Sequence, residues 1–350
     1  MIEESPVPAA TPVSYCSYFD HRYLARAICL YDSLCRHSST FEWHVLALSG
    51  ECERLLSELN LPQVKVTTLA EIEASQPELL QAKQNRSLVE YYFTLTAAFC
   101  RYAMDAVSNG ALLTYLDSDL YFFHSPQPVF DELEESSVGI IEHRFSLPNR
   151  VMIANGIFNV GWVSFRKDAD GVGCLTDWNK KCLDWCYDRV EAERFADQKY
   201  LDQWPKEFEN VCVIEHRGAN VGPWNVADFQ LQPSPPKGCS PIAVDGTPLL
   251  FAHFQNVRRV GYRTYETGFD VYKIESSSRR EIAKQIYAPY LRHLNRRERH
   301  LRKLRRDDQI PDASELRQPQ TRATYAPVRT LLQLPAKFVS MNRQYNWITI

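Results

Sequence analysis

The chain has 350 residues, 45% hydrophobic and 24% charged, with a net charge of −3, which excludes a disordered or fibrous polypeptide and describes an enzyme-sized globular chain. The charge is unevenly spread. Residues 279–306 hold 11 Lys and Arg against Glu281 and Glu298, a local +9, so the other 322 residues form an acidic body of −12.

Residues 1–12 are expected to form a flexible arm. Residues 13–19 read as a first strand and 21–36 as a helix whose apolar face carries Ala25, Ile28, Leu30, Tyr31 and Leu34. A strand at 41–48, a helix at 51–59 and a strand at 64–69 follow, the last running into a short polar helix at 70–74. This alternation predicts an α/β fold with a mostly parallel central sheet and helices on both faces. A long helix over 87–107 leads into 111–116, a continuous apolar run suited to a central strand buried on both sides. Next come a helix at 126–135, a strand at 138–142, a strand-rich stretch at 156–165 and a helix at 173–189. Shorter elements at 198–204, 211–214 and 249–254 complete the body. Pro233, Pro235, Pro236, Pro241 and Pro248 mark the approach to the last of these as loop. Leu291, Leu294, Leu301 and Leu304 recur at near-heptad spacing, so 276–306 is expected to be a basic amphipathic helix, followed by a linker and tail over 307–350.

Ten cysteines without a C-x-x-C pair read as reduced, buried thiols of a cytosolic protein. The opening MIEESPVPAATPV carries acids and prolines where a secretory signal has a basic end and an apolar run. No window approaches the ~18 apolar residues of a membrane span.

The sharpest chemical feature is LLTYLDSDLYFF at 112–123, an apolar strand running into Asp117 and Asp119. Side chains two apart on an extended chain project to one side, so both carboxylates can reach one cation. The carboxyl end of a strand is where ligands bind in an open α/β sheet. A divalent ion held there by oxygen ligands neutralises a diphosphate. The plainer alternative is that both acids cap the next turn, although two unpaired like charges at the rim of a core are costly. The D-x-D of haloacid-dehalogenase-like phosphatases normally continues with Thr or Val, not with Leu120 and Tyr121. Phosphate-loop, nucleophile-elbow and H-E-x-x-H signatures are absent.

In the order of its motifs the chain resembles nucleotide-sugar glycosyltransferases of the GT-A fold, most closely glycosyltransferase family 8, the glycogenin and bacterial galactosyltransferase group. YCSYFD at 15–20 is similar to the family's nucleoside-binding first strand, and YLDSDL at 115–120 to its metal motif. NGIFNVGWVSF at 155–165 resembles its F-N-x-G strand, FADQKYL at 195–201 its D-Q element, and HFQNVRR at 253–259 its H-x-x-G-x-x-K segment. The resemblance implies a Rossmann-like GT-A catalytic domain over 13–275 and a site of named residues. Asp117, Asp119 and His253 would hold Mn²⁺ or Mg²⁺. Tyr18, Asp20, Arg86, Ser118, Asn159, Gly161 and Arg259 would bind the nucleotide sugar, and Asp197 and Gln198 would flank the anomeric carbon. Asn256 stands in place of the family's Gly and Arg259 in place of its Lys, yet Arg still holds phosphate bidentately. Arg86 and Arg101 both qualify as the basic residue upstream of the D-x-D. Arg86 is favoured because, with Lys83, it lies near a helix N-terminus, where anions are stabilised.

Each of these residues also has a structural explanation. Asp20 suits an N-cap for the helix from 21 and Asp197 a cap for 198–204; Asn159 and Gly161 suit a bulge, and His253 a core histidine. Trp224 and Asn225, in GANVGPWN at 218–225, suit an acceptor-side loop.

The function expected is transfer of a sugar from a nucleotide diphosphate sugar, with UDP the expected nucleotide, to a glycan or lipid-linked acceptor. Retention of configuration follows if the resemblance extends through Gln198. An inverting reaction needs a general base, for which Asp197, Glu142 and Asp228 are candidates. A binding or scaffold protein without turnover is the non-enzyme alternative. The basic helix offers few aromatics for stacking on nucleic acid. Its leucines and charges suit the anionic inner face of the membrane, a partner helix, or the protein's own body.

Overall fold

Along the first strand, Tyr15 and Phe19 enter one apolar core and Cys16 another, the two-residue period of a strand covered on both faces. The computed structural model describes residues 13–38, 40–233, 242–305, 340–342 and 346–350. The expected arm over 1–12, Pro235, Pro236, Cys239, Pro241 and the linker over 307–339 lie outside the described residues.

The chain begins β1 (Val13–Phe19), α1 (Leu24–His37), β2 (Phe41–Ala47), α2 (Gly50–Leu59), β3 (Val64–Thr68), α3 (Leu69–Ser75), α4 (Glu78–Asn85) and α5 (Leu88–Met104). It continues with β4 (Leu112–Leu116), β5 (Leu120–Phe122), α6 (Gln127–Leu133), β6 (Val138–Glu142), a 3₁₀ segment (Leu147–Asn155), β7 (Phe158–Arg166) and α7 (Ala169–Asp184). Then come α8 (Trp204–Glu207), β8 (Val211–Ile214), β9 (Leu231–Pro233), β10 (Ile242–Val244), β11 (Thr247–Pro248), β12 (Phe251–His253), β13 (Arg258–Arg259) and β14 (Thr264–Glu266). Last are α9 (Ser276–Ile282), α10 (Ala288–Arg305), β15 (Ser340–Asn342) and β16 (Trp347–Thr349).

Seven strands form the central sheet in the order β3-β2-β1-β4-β7-β6-β8. Neighbours are parallel except around β7, which runs antiparallel to β4 and β6. The expected mostly parallel α/β sheet is therefore present. Residues of α1, α2 and α10 cover one face, and those of α5 and α7 the other.

Several boundaries differ from the sequence expectation, each for a local reason. Helix α1 starts at Leu24 rather than 21, because Asp20 holds a preceding turn by accepting from the backbone N of Arg22 and Tyr23. Helix α7 starts earlier than 173 because Asp168 caps it, accepting from Gly171 N.

The basic segment is helical from Ser276 to Arg305, with a π-helical turn at Ala283–Tyr287. It is not a separate attachment. Tyr290, Leu291, Leu294 and Leu301 are buried in the core that contains Tyr15, and each buried leucine contributes about 1.5–3 kcal/mol. Asp32 on α1 accepts from Arg297 Nε at 2.6 Å, Arg297 Nη2 at 2.7 Å and His293 Nε2 at 2.8 Å. The end of the tail is likewise integrated, since β16 pairs with β14 in a four-stranded sheet ordered β13-β14-β16-β15.

Candidate active site

Strand β4 delivers Asp117 and Asp119 because its apolar residues end at Leu116. The chain then turns, Leu120 N donating to Asp117 O at 3.1 Å, and re-enters the core as β5. Strand β12 pairs antiparallel with β5, setting His253 opposite Leu120. His253 Nε2 thereby stands 2.9 Å from Asp119 Oδ1 and 3.6 Å from Asp117 Oδ2. One ligand atom from each of the three lies within 4.8 Å of the others.

The imidazole is 3% exposed, Asp119 14% and Asp117 34%, so the group opens to solvent on the Asp117 side. Burial pushes the Asp119 carboxyl up, but the facing imidazole outweighs it and holds the group below its ordinary value. At Asp117 burial prevails, with repulsion from Asp119 adding to it, and the carboxyl is raised. Burial lowers His253, and the two acids more than offset that and raise it. Two carboxylates and one imidazole are a donor set that fits a divalent ion such as Mn²⁺.

A hydrogen-bonded chain supports this group from β6 and β7. His143 Nδ1 lies 3.1 Å from Ile157 O, a carbonyl that can only accept, so the proton sits on Nδ1. His143 Nε2 accepts from Asn159 Nδ2 at 2.9 Å, Asn159 Oδ1 accepts from Gly161 N at 2.9 Å, and Gly161 O accepts from Asp117 N at 3.0 Å. Burial lowers the His143 imidazole to about 3, which keeps it neutral and fixes the direction of the chain. Gly161 also passes close beneath the histidine: a Cβ there would lie 2.8 Å from His253 Nδ1 and 2.5 Å from Asn159 Oδ1. His143 was not singled out from the sequence, since no spacing signal marks it.

Asp197 and Gln198 follow the loop after α7. Asp197 is 6% exposed. Burial raises its carboxyl to about 7, Thr96 easing the shift by a hydrogen bond and Asp117 adding to it. Tyr18 joins the same polar cluster, its hydroxyl 3.1 Å from Thr96 Oγ1, and Tyr115 donates to Asp117 Oδ1 at 2.8 Å. Gln198 Nε2 donates to Asn155 O at 3.0 Å, and Asp197 makes no cap, because the 3₁₀ turn at Lys199–Gln203 has no side-chain cap.

Other expected site residues are committed differently. Asp20 accepts from Arg22 Nε at 2.7 Å besides its turn bonds. Arg86 directly precedes Ser87, the N-cap of the long helix, but its guanidinium turns away to donate to Thr94, to Cys182 O at 2.8 Å and to Leu183 O at 2.5 Å. It thus satisfies carbonyls at the end of α7. Arg259 is 8% exposed, with Nε 2.9 Å from Glu298 Oε2. Ser118 is buried between the two acids.

Trp224 and Asn225 do not form an open acceptor loop. Trp224 is 1% exposed and stands edge-on to both His253 and His143. Asn225 Nδ2 donates to His143 O at 2.7 Å and Oδ1 accepts from Gly222 N at 2.9 Å, so its amide is spent on the fold. Of the candidate bases, Asp228 lies exposed at the end of a 3₁₀ turn (Val226–Asp228), and Glu142 ends β6.

No protein-family model matches the chain. The uncharacterized protein YfnD of Bacillus subtilis (strain 168) is 30% identical over 268 residues, covering 75% of this chain and 83% of YfnD. YfnF of the same organism is 27% identical over 290 residues, covering 80% of this chain and 92% of YfnF. Similar solved structures are glycosyltransferases. The galactosyltransferase LgtC, in complex with donor and acceptor sugar analogues, is 16% identical, covers 69% of this chain and 87% of its own, and has a TM-score of 0.43. Mouse xyloside xylosyltransferase 1 is 14% identical, with 60% and 87% covered and a TM-score of 0.40. GlyE of Streptococcus pneumoniae TIGR4 is 18% identical, with 60% and 46% covered and a TM-score of 0.40.

Proposed function

This chain belongs to the family of YfnD, and we propose that it is a metal-dependent glycosyltransferase, moving a sugar from a UDP-sugar to a glycan or lipid-linked acceptor. The observation that carries the reading is the convergence of Asp117, Asp119 and His253 from two strands at the rim of the sheet. Such a group suits an anionic donor only through a cation, since the two carboxylates alone would repel a diphosphate. When bound, a divalent ion supplies charge stabilisation for the departing diphosphate.

The chain's own groups set the rest of the chemistry. Asn155 O holds Gln198 by its Nε2, leaving Oε1 free to face the anomeric carbon. Asp197, with its carboxyl raised to about 7, is half-protonated near neutrality and too enclosed to serve as a strong nucleophile. The placing of Gln198 is what supports retention; Asp197, only 6% exposed, is too enclosed to take a proton from an incoming acceptor, as an inverting reaction requires. The outward basic side of α9 and α10 remains as a contact for an anionic membrane surface on the cytoplasmic side, by charge alone, because the helix's leucines are already buried.

A thermal-shift screen of nucleotide sugars with Mn²⁺, followed by donor hydrolysis, tests the reading. A UDP-sugar should raise the melting temperature and be turned over, and Asp119→Ala should abolish both effects. Full activity after chelation overturns the metal assignment, and an inverted anomeric product overturns the role given to Gln198.

A further inference from the structure

Arg259, the cation that the family resemblance assigns to the diphosphate, spends its charge inside the protein. Its Nε lies 2.9 Å from Glu298 Oε2 and its Nη2 3.2 Å from the Tyr265 hydroxyl, which itself donates to Glu298 at 2.6 Å. Arg26 on α1 is the opposite case. Its guanidinium donates to Val257 O at 2.8 Å and to Arg22 O at 3.5 Å, and lies 4.5 Å above the ring of Tyr23. No carboxylate among the described residues forms an ion pair with it.

This guanidinium is tied to Asp119 through the turn after His253. Its anchor, Val257, sits in the turn that leaves His253: Val257 N donates to Phe254 O at 3.2 Å, and Phe254 N donates to Asp119 O at 3.0 Å. The charges of Arg26 and Asp119 act on one another. On the far side Tyr290 of α10 lies in the field of Arg26, and its hydroxyl is buried without a hydrogen-bond partner among the described residues. The hydroxyl of Tyr287, one turn earlier and in the field of Asp119, is in the same condition.

A half-buried guanidinium that donates only to carbonyls has Asp119 in its field but no anion in hydrogen-bond contact, and buried hydroxyls without acceptors add a further cost. An anion with several acceptor oxygens removes both costs. We infer that Arg26, with the Tyr290 hydroxyl beside it, forms an anion site next to Asp119 that takes the donor's diphosphate in place of Arg259. The inference rests on the glycosyltransferase reading above. It makes α10 a contributor to the donor site, supplying Tyr290 on one side and, through Glu298, withdrawing Arg259 on the other.

The probe is inorganic pyrophosphate with Mn²⁺, titrated calorimetrically into the full chain and its variants. The wild type should bind, and Arg26→Gln should bind about 10- to 100-fold more weakly, the range for hydrogen bonds to a charged group. Tyr290→Phe, which keeps the ring, should lose about 2- to 10-fold as one neutral donor is removed. Wild-type affinity in Arg26→Gln overturns the inference and leaves the glycosyltransferase reading standing. Should Arg26→Gln fail to fold, unchanged affinity in Tyr290→Phe overturns it instead. A wild type that binds no pyrophosphate with Mn²⁺ while hydrolysing a nucleotide sugar defeats the inference alone, and one that does neither defeats the underlying reading as well.

Discussion

Trp224 stands edge-on to His253, ring centroids 5.1 Å apart and planes at 85°, while Gly161 lies against Nδ1 of the same imidazole. That nitrogen has no hydrogen-bond partner among the described residues, so packing aims Nε2 at the two carboxylates. Metal affinity should therefore depend on residues that are not ligands. Trp224→Ala is expected to weaken Mn²⁺ binding about tenfold or more and to cost about 3–5 kcal/mol of stability. A Mn²⁺ titration followed by electron paramagnetic resonance, with a thermal melt beside it, reads both. Wild-type affinity in the variant would show that His253 needs no wall.

Gly161→Ala tests the other side of the ring. The new methyl would meet Asn159 Oδ1 at 2.5 Å and His253 Nδ1 at 2.8 Å, closer than either atom tolerates. Overpacking of this kind costs about 1–3 kcal/mol. Because the strand is fixed on both edges, the Asn159 and His253 side chains are what must move. The same titration should show weaker Mn²⁺ binding although all three ligands remain, and an unaltered curve would place the slack elsewhere.

Asp197 gives the fold a pH dependence of defined sign. Its carboxyl titrates at about 7 in the native state, against about 3.9 in the unfolded chain. The native form holds its proton more tightly, so stability is full below pH 4 and falls as pH rises towards 7. Asp197→Asn should remove that slope and, above pH 7, raise stability by on the order of 2–4 kcal/mol, seen as a higher melting temperature. Melts from pH 5 to 8.5 decide it, and parallel wild-type and variant curves would refute the assignment.

The pairing of Asp32 with Arg297 predicts what removal of the basic helix does. A bidentate contact at 2.6 and 2.7 Å with His293 on the same carboxylate, added to the buried Leu291, Leu294 and Leu301, ties α10 to α1. Ending the chain at residue 275 should expose that core and yield insoluble or unfolded protein. A double-mutant cycle of Asp32→Asn and Arg297→Gln should return a coupling of about 1–3 kcal/mol. A truncated chain that melts cooperatively near the wild-type temperature would show that the core does not need α10.

What the sequence made legible follows from which contacts are local. Strand–helix alternation and the apolar run into Asp117 are short-range patterns, and they located the sheet and the acids correctly. His253 could be named because HFQNVRR at 253–259 resembles the family's H-x-x-G-x-x-K segment, and the strand end at which it sits agreed with that. The fate of the arginines could not be read, because it depends on partners far away in the chain. Arg86 meets the carbonyls of 182 and 183, Arg259 meets Glu298, and Arg26 meets Val257. Trp224 and Asn225 looked like loop residues by composition, and only the fold turns them inward against His253 and His143. The leucine spacing of 276–306 identified an amphipathic helix but not its partner, which the buried face of α1 supplies.

The latch between α1 and α10 also orders events during synthesis. Arg305 donates to His21 O at 2.8 Å, joining positions 284 residues apart, and Arg297 and Tyr290 reach the same early helix. The first strand and helix leave the ribosome with one flank uncovered, and the part of it that α10 covers stays open until that helix has been made. Nascent chains short of that point should expose the apolar side of α1 and be the species that chaperones hold.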